Sequence, residues 1–120
     1  VRCKPVGGAL EQSCGLMFRY QDARNYYVAR ANALEHNIRF YKVTDGLRQQ
    51  LASWSGPVAS GTWHELVVEA RGDHVAVFWD GQPVLEAHDP TFREPGRIGL
   101  WTKADSVTYF DELRVEVFGE

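Results

Sequence analysis

Residues Asn25–Val43 read NYYVARANALEHNIRFYKV and contain two stretches in which apolar and polar side chains alternate. In the second stretch Ile38 and Phe40 point to one side of the chain, and the polar residues between them point to the other. A period of two is typical of a strand that buries one face. A helix-compatible window at Ala29–His36 is too short and lacks a convincing cap. We therefore predict two strands here, Asn25–Ala31 and Asn37–Val43.

The same period recurs along the chain, and turn residues fill the gaps. Asp80-Gly81 suits the left-handed positions of a tight hairpin turn. Arg71-Gly72-Asp73 matches an adhesion tripeptide but stands where two strands require a turn, and we interpret it as that turn. Short strands at intervals of about 8–12 residues predict an all-β antiparallel sandwich or barrel. The other predicted strands are Gly15–Tyr20, Arg48–Trp54, Thr62–Ala70, His74–Trp79, Val84–Ala87, Arg97–Thr102 and Val107–Phe118.

The last predicted strand contains a conflict of phase. Phe110 and Leu113 are three residues apart, so a regular strand cannot place both on one face. We predict a bulge near Asp111-Glu112 that resolves the conflict.

Composition limits the class of protein. The chain has 120 residues, 44% of them hydrophobic, and a net charge of −3, which describes one folded domain over 1–120 rather than a multidomain enzyme or a disordered chain. No apolar run approaches the ~20 residues that span a bilayer. The mild acidity argues against a nucleic-acid partner. Ten arginines stand against three lysines, and arginine is the side chain suited to fixed, bidentate contacts.

The two cysteines, Cys3 and Cys14, fit no metal-site spacing. One disulfide between two strands and a pair of small buried thiols both remain open from the sequence.

Two segments carry residue types that recognise sugars. A sugar ring shows hydroxyl groups at its edge and C–H groups on its faces, so it needs planar hydrogen-bonding groups and an aromatic platform. Arg19–Tyr41 supplies arginines, asparagines and tyrosines, with Arg19 and Arg30 expected on one sheet face. In Gly99–Asp105, Trp101 alternates away from Leu100 and would face away from the core. The alternative for both segments is a solvated sheet face with ordinary cross-strand pairs.

Signals for chemistry are weaker. The four histidines share no ligand spacing, and His64 is expected to pack or lie at the surface. Glu35 and Asp111 are weak candidates for a catalytic carboxylate, because nothing shows that an acid and a base meet. No cofactor is expected, although calcium held by dispersed acids such as Asp22, Asp105 or Asp111 stays open.

Five motifs together resemble a bacterial concanavalin A-like jelly roll, in particular the laminin-G-like domains described as 3-keto-disaccharide hydrolase or family-16-glycosidase-like. The resemblance covers nearly the whole chain. These domains look longer at the N-terminus, so it implies a domain shortened by several strands. The motifs are Gly15–Asp22, Asn25–Glu35, Gly61–Leu66, Asp80-Gly81 and Gly99–Asp111.

The resemblance implies a two-sheet jelly-roll sandwich, a concave face that binds a saccharide, and a periplasmic or extracellular protein. A glycoside hydrolase or lyase acting on 3-keto-disaccharides, and an interaction module without a small ligand, are the alternatives. A missing edge would leave a strand open, which favours a homodimer through strand pairing or exchange. The groove candidates it implies are Arg19, Tyr27, Arg30, Asn32, Glu35, Trp101 and Lys103.

Overall fold

The computed structural model describes residues 1–117 and builds them from ten strands. None of these residues belongs to a helix long and apolar enough to cross a membrane. The strands are β1 Arg2–Gly7, β2 Ser13–Asp22, β3 Asn25–Asn32, β4 Asn37–Thr44, β5 Leu47–Ser55, β6 His64–Arg71, β7 His74–Trp79, β8 Gln82–His88, β9 Arg97–Trp101 and β10 Val107–Asp111.

The strands form two antiparallel five-stranded sheets, which confirms the predicted sandwich. The front sheet has the order β5-β4-β3-β2-β9, and the back sheet has the order β10-β1-β6-β7-β8. Their inner faces meet in one core, where Tyr27, Phe40 and Phe18 from the front sheet pack as an aromatic cluster. Leu66 and Val77 face them from the back sheet and are fully buried. Burial of these alternating apolar residues fixes which side of each strand faces outward.

A disulfide joins the two sheets near one end. Cys3 on β1 and Cys14 on β2 are bonded, and both residues are fully buried in the core. The first of the two alternatives left open by the sequence is therefore the one that the structure shows.

The ends of the chain differ from the sequence prediction. The first strand, Arg2–Gly7, was not predicted, because Pro5 and the glycines after it weaken a strand pattern. The last strand stops at Asp111, and Glu112 takes a left-handed φ of 51°. The predicted strand Val107–Phe118 and its bulge are therefore wrong: the phase conflict disappears because the strand ends before Leu113. Phe118 lies outside the described residues.

Candidate functional site

The outer face of the front sheet carries a polar row that crosses four strands. Trp101 pairs with Gly15, Gly15 pairs with Arg30, and Arg30 pairs with Arg39. The neighbours of Arg30 along β3, Ala29 and Ala31, face the core, so the row faces outward. We call this surface, with the residues around it, the polar face.

Trp101 lies across β2 because residue 15 has no side chain. A Cβ on Gly15 would lie 2.9 Å from Trp101 Cε3 and 3.2 Å from the Cβ of Arg30. Neither distance leaves room for a methyl group, since carbon atoms pack at about 3.5–4.0 Å. The expectation that Trp101 faces away from the core is confirmed, and its ring occupies the space above Gly15, between β9 and Arg30 on β3.

Arg30 is the most deeply buried charged residue of this face, with 4% of its surface exposed. Its Nη1 donates to the Asn37 side-chain oxygen, and its Nη2 lies 3.5 Å from Glu35 Oε2 and 3.4 Å from the Tyr41 hydroxyl. A buried cation is costly unless it is paired and hydrogen-bonded. These three partners meet that requirement and hold the guanidinium plane in one orientation.

Glu35 is the carboxylate of the polar face. The Asn37 side-chain amide donates to its Oε2 at 3.0 Å, and Arg39 lies 3.9 Å away. The hydrogen bond from Asn37 is the main cause that holds the pKa of Glu35 below its ordinary value; Arg30, Arg39 and Lys103 add to it and partial burial opposes it. Glu35 is therefore an ionised acceptor whose side chain is still two-fifths exposed to an incoming ligand.

Arginine side chains surround the Tyr41 side chain. Arg39 Nη1 donates to its hydroxyl at 3.3 Å, and the guanidinium carbon of Arg48 lies 4.6 Å from the ring centre. Burial acts to raise the pKa of Tyr41, but the hydrogen bonds and charges of Arg39 and Arg30 outweigh it, so the pKa lies below its ordinary value. The Nε atom of Arg39 is buried without a hydrogen-bond partner in the described residues.

A loop closes one end of the polar face. The Glu11 carboxylate accepts a hydrogen bond from the Asn32 amide and lies 3.8 Å from Lys103 Nζ. Asp105 holds this loop, because its carboxylate accepts from the backbone N–H groups of residues 9, 10 and 11. The hydrogen bond from Ala9 is the largest cause of the lowered pKa of Asp105. Asn32 is fully buried, so its role here is to position Glu11.

The structure does not bring Arg19 or Tyr27 to the polar face. A register shift after Phe18 and a φ of 47° at Arg19 turn that side chain away, where it donates to the backbone oxygens of Gly72 and Phe92. The expectation that Arg19 and Arg30 share a face is therefore wrong. Tyr27 is fully buried in the core, and its hydroxyl donates to Asp89 Oδ1 at 2.6 Å. Desolvation and the hydrogen bond with Asp89 raise its pKa to about 12.

The two weak candidates for a catalytic carboxylate, Glu35 and Asp111, lie in different sheets. Glu35 lies on the polar face, whereas Asp111 ends β10 in the back sheet, opposite Arg2. Within residues 1–117 no three His, Cys, Asp or Glu side chains are grouped so that they could hold a metal ion. Asp105, one of the acids considered for calcium, is committed to backbone N–H groups instead.

Several residues of the polar face were not selected from the sequence. Asn37, Arg39 and Tyr41 lie in the polar segment noted there, and the alternation of β4 already puts Arg39 and Tyr41 on the outer face. Glu11 carries no such signal, because it comes from a loop that only the pairing with Asn32 and Lys103 brings here. The role of Gly15 also depends on the β2–β9 pairing.

The fold and the site together define a class of protein: a jelly-roll sandwich with one polar, arginine-containing face. The chain belongs to the family of 3-keto-alpha-glucoside-1,2-lyase-like domains, whose model matches residues 1–116. A levanase of Bacillus subtilis (strain 168) is 35% identical over 86 residues, which are 71% of this chain and 13% of that enzyme.

Solved structures agree with this assignment. The carbohydrate-binding module CBM66 from Bacillus subtilis superposes with a TM-score of 0.78 and 28% identity, covering 89% of this chain and 66% of that one. Sheep galectin-11 in complex with glycerol gives a TM-score of 0.61 at 12% identity, over 90% of this chain and 85% of that one, and shows the fold alone. The family match and the similarities to CBM66 and to the levanase support the predicted carbohydrate-binding β-sandwich.

Proposed function

We propose that the polar face binds a neutral saccharide. The observation that carries this proposal is the buried Arg30, held by Glu35 and Asn37, in the same cross-strand row as Trp101 with only Gly15 between them. A fixed guanidinium and an ionised carboxylate supply donors and acceptors for neighbouring hydroxyl groups. The indole supplies the apolar surface for the C–H face of the ring. Because the chain is similar to part of a levanase, we propose a fructan as the saccharide.

Binding without catalysis is favoured over cleavage. The family description suggests a lyase, and elimination from a 3-keto sugar needs a general base. Glu35 is the carboxylate nearest Arg30, and its lowered pKa makes it a weak base. A strong hydrogen-bond acceptor that stays ionised suits recognition better than proton abstraction.

Calorimetric titration with levan-derived oligosaccharides tests the proposal. We expect saturable binding that Trp101→Ala and Arg30→Lys each weaken at least about tenfold. Apolar contact with the indole contributes about 2 kcal/mol, and a hydrogen bond to a charged group contributes about 1.5–3 kcal/mol. Trp63→Ala is the matched control, since Trp63 is also partly exposed but stacks with Arg2 of the back sheet. Absence of binding to any levan oligosaccharide would remove the fructan proposal, and equal loss in all three variants would remove the polar face.

The disulfide supports a periplasmic or extracellular location, because such bonds persist in oxidising compartments.

We also propose a homodimer through the open edge at β9, where Ile98 and Leu100 are 42% and 40% exposed. Light scattering at rising concentration should give twice the monomer mass, and Leu100→Lys should restore the monomer. A monomer at every concentration would contradict the dimer.

A further inference from the structure

A cleft opens between the two sheets, on the inner side of β5 rather than on the outer polar face. Its volume is about 280 Å³, and it lies where Trp54 of β5 faces Trp79 of β7. Both tryptophans point inward, since Trp54 pairs with the core residue Ile38 and Trp79 pairs with the core residue Leu66. The remaining lining residues are Pro57, Ala59, His64, Asp80 and Gln82.

Trp54 is placed in this cleft by a glycine, as Trp101 is on the polar face. A Cβ on Gly56 would lie 2.3 Å from both Cη2 and Cζ2 of Trp54. No side chain fits there unless the indole moves. The backbone of residue 56 therefore forms the surface on which the Trp54 ring lies.

The opposite wall is rigid. The His64 ring stacks on Trp79 with 4.5 Å between ring centres, and its two nitrogens lie 2.7 Å from Asp80 Oδ2 and 2.8 Å from the Ala59 oxygen. Asp80 Oδ1 also accepts from the Glu65 backbone N–H at 2.9 Å. These contacts tie the β7–β8 turn to the start of β6, so this wall is formed before any ligand arrives.

Three polar groups of the cleft, unlike His64 and Asp80, have no hydrogen-bond partner in the part of the chain that the structure describes. The indole N–H groups of Trp54 and Trp79 and the side-chain amide of Gln82 make no hydrogen bond within residues 1–117. Trp79 is only 5% exposed, but its indole N–H keeps some accessible surface and can be reached from solvent. A sugar ring can accept hydrogen bonds from these unused donors while its C–H face packs on the aromatic surface.

Size and charge narrow the ligand further. Sites for drug-sized ligands measure about 300–1,000 Å³, so this cleft suits one ring rather than a chain of them. Among the described residues that line it there is no lysine or arginine, and both nitrogens of His64 are engaged. An anionic ligand would find no unpaired cation here and would meet the Asp80 carboxylate, whereas a neutral sugar ring finds an aromatic face and donors at its edge.

We propose that this cleft is a second saccharide site, which holds one neutral sugar ring against Trp54. The proposal does not depend on what the polar face binds, because the two sites share no residue. It gives the module two separate contacts with carbohydrate, one on the front sheet and one between the sheets.

The four tryptophans allow a direct test by nuclear magnetic resonance. Their indole N–H signals, assigned with single Trp→Phe variants, are followed while fructose, glucose or a levan-derived trisaccharide is added. We expect the Trp54 and Trp79 signals to shift saturably with at least one of these sugars. The Trp63 signal should stay fixed, and Trp101→Ala should leave the shifts at Trp54 and Trp79 unchanged.

Two glycine variants sharpen the result. Gly56→Ala should weaken the response at Trp79 about tenfold while the rest of the spectrum keeps its dispersion. Gly7→Ala is the matched control, because its Cβ meets Val107 at an ordinary 3.4 Å. The proposal is overturned if Trp54 and Trp79 do not move up to the solubility limit of each sugar, or if Trp101→Ala abolishes their shifts. A shift at Trp101 without one at Trp54 supports the polar face and refutes the cleft, and the reverse result refutes only the polar face.

Discussion

Gly15→Ala isolates the geometry of the Trp101 platform. The added Cβ would lie 2.9 Å from Trp101 Cε3 and 3.2 Å from Arg30 Cβ, whereas carbon atoms pack at about 3.5–4.0 Å. Gly15 is fixed between β3 and β9 by its pairing on both sides. The indole must therefore move outward by about 0.6–1 Å relative to its native position.

The expected loss of affinity follows from that displacement. A sugar face on the indole buries on the order of 80 Å² of apolar surface, which contributes about 2 kcal/mol to binding. A gap of about 0.5–1 Å forfeits about a quarter to a half of a dispersion contact. The platform alone then loses about 0.5–1 kcal/mol, and the shift of Arg30 adds to it. We expect binding about 3- to 10-fold weaker, with a free energy of unfolding lower by about 1–3 kcal/mol from overpacking.

Calorimetry with a levan-derived oligosaccharide and unfolding in urea measure the two effects. Gly7→Ala is the control for adding a methyl group to a strand glycine, since its Cβ makes ordinary contacts. In a Trp101→Ala background the effect of Gly15→Ala on affinity should nearly vanish, because both changes act through one ring. Unchanged affinity in Gly15→Ala, or an undiminished loss in the double variant, would refute this reasoning.

Three other predictions concern charge and cross-linking. Binding should stay constant from neutral pH down to about pH 4.5, the ordinary pKa of Glu35, and should weaken only at lower pH. The pKa of Glu35 in the folded protein is lowered, so its carboxylate stays ionised until the pH falls to that lowered pKa. Calorimetry across pH checks this, and a decline in affinity that begins near pH 6 would contradict it. Replacing Cys3 and Cys14 together by alanine should lower the free energy of unfolding by about 2–3 kcal/mol. The reduced native protein should have a urea midpoint similar to that of this double variant. If either midpoint equals that of the oxidised native protein, the disulfide adds nothing to stability. Asp89→Ala should cost about 2–3 kcal/mol, because it removes the carboxylate partner of Lys42 and leaves the Tyr27 hydroxyl only the Asp89 backbone oxygen at 3.1 Å. Thermal unfolding measures the loss, and Glu94→Ala, at an exposed loop position, should change little.

The sheet sandwich was predictable because alternation reports which side of a strand is buried. The phase of β9 placed Trp101 outside from Leu100 alone, and the pairing with Gly15 confirms it. The phase of β4 separated Ile38 and Phe40 from Arg39 in the same way. Where a strand stays regular, two or three residues determine the direction of all the others.

The errors fall where regular geometry stops. Arg19 follows the alternation of β2 in the sequence, but a register shift and a left-handed φ turn it toward the backbone of Gly72 and Phe92. Leu113 is out of phase with Phe110 and suggested a bulge, yet the strand has already ended at Asp111. Such breaks depend on contacts between distant parts of the chain, which a local pattern does not contain.

The glycines beneath Trp54 and Trp101 also constrain how such surfaces arise by mutation. Each platform needs two residues, a ring and the bare backbone under it, at Gly56 and Gly15. A tryptophan acquired above an alanine is pushed out of place, and a glycine acquired first at a strand position such as residue 15 weakens the strand by about 0.5–1 kcal/mol without any return. Either single step is therefore a loss, and a sandwich of this kind gains an aromatic platform more readily by recombining a whole strand pair than by successive point changes.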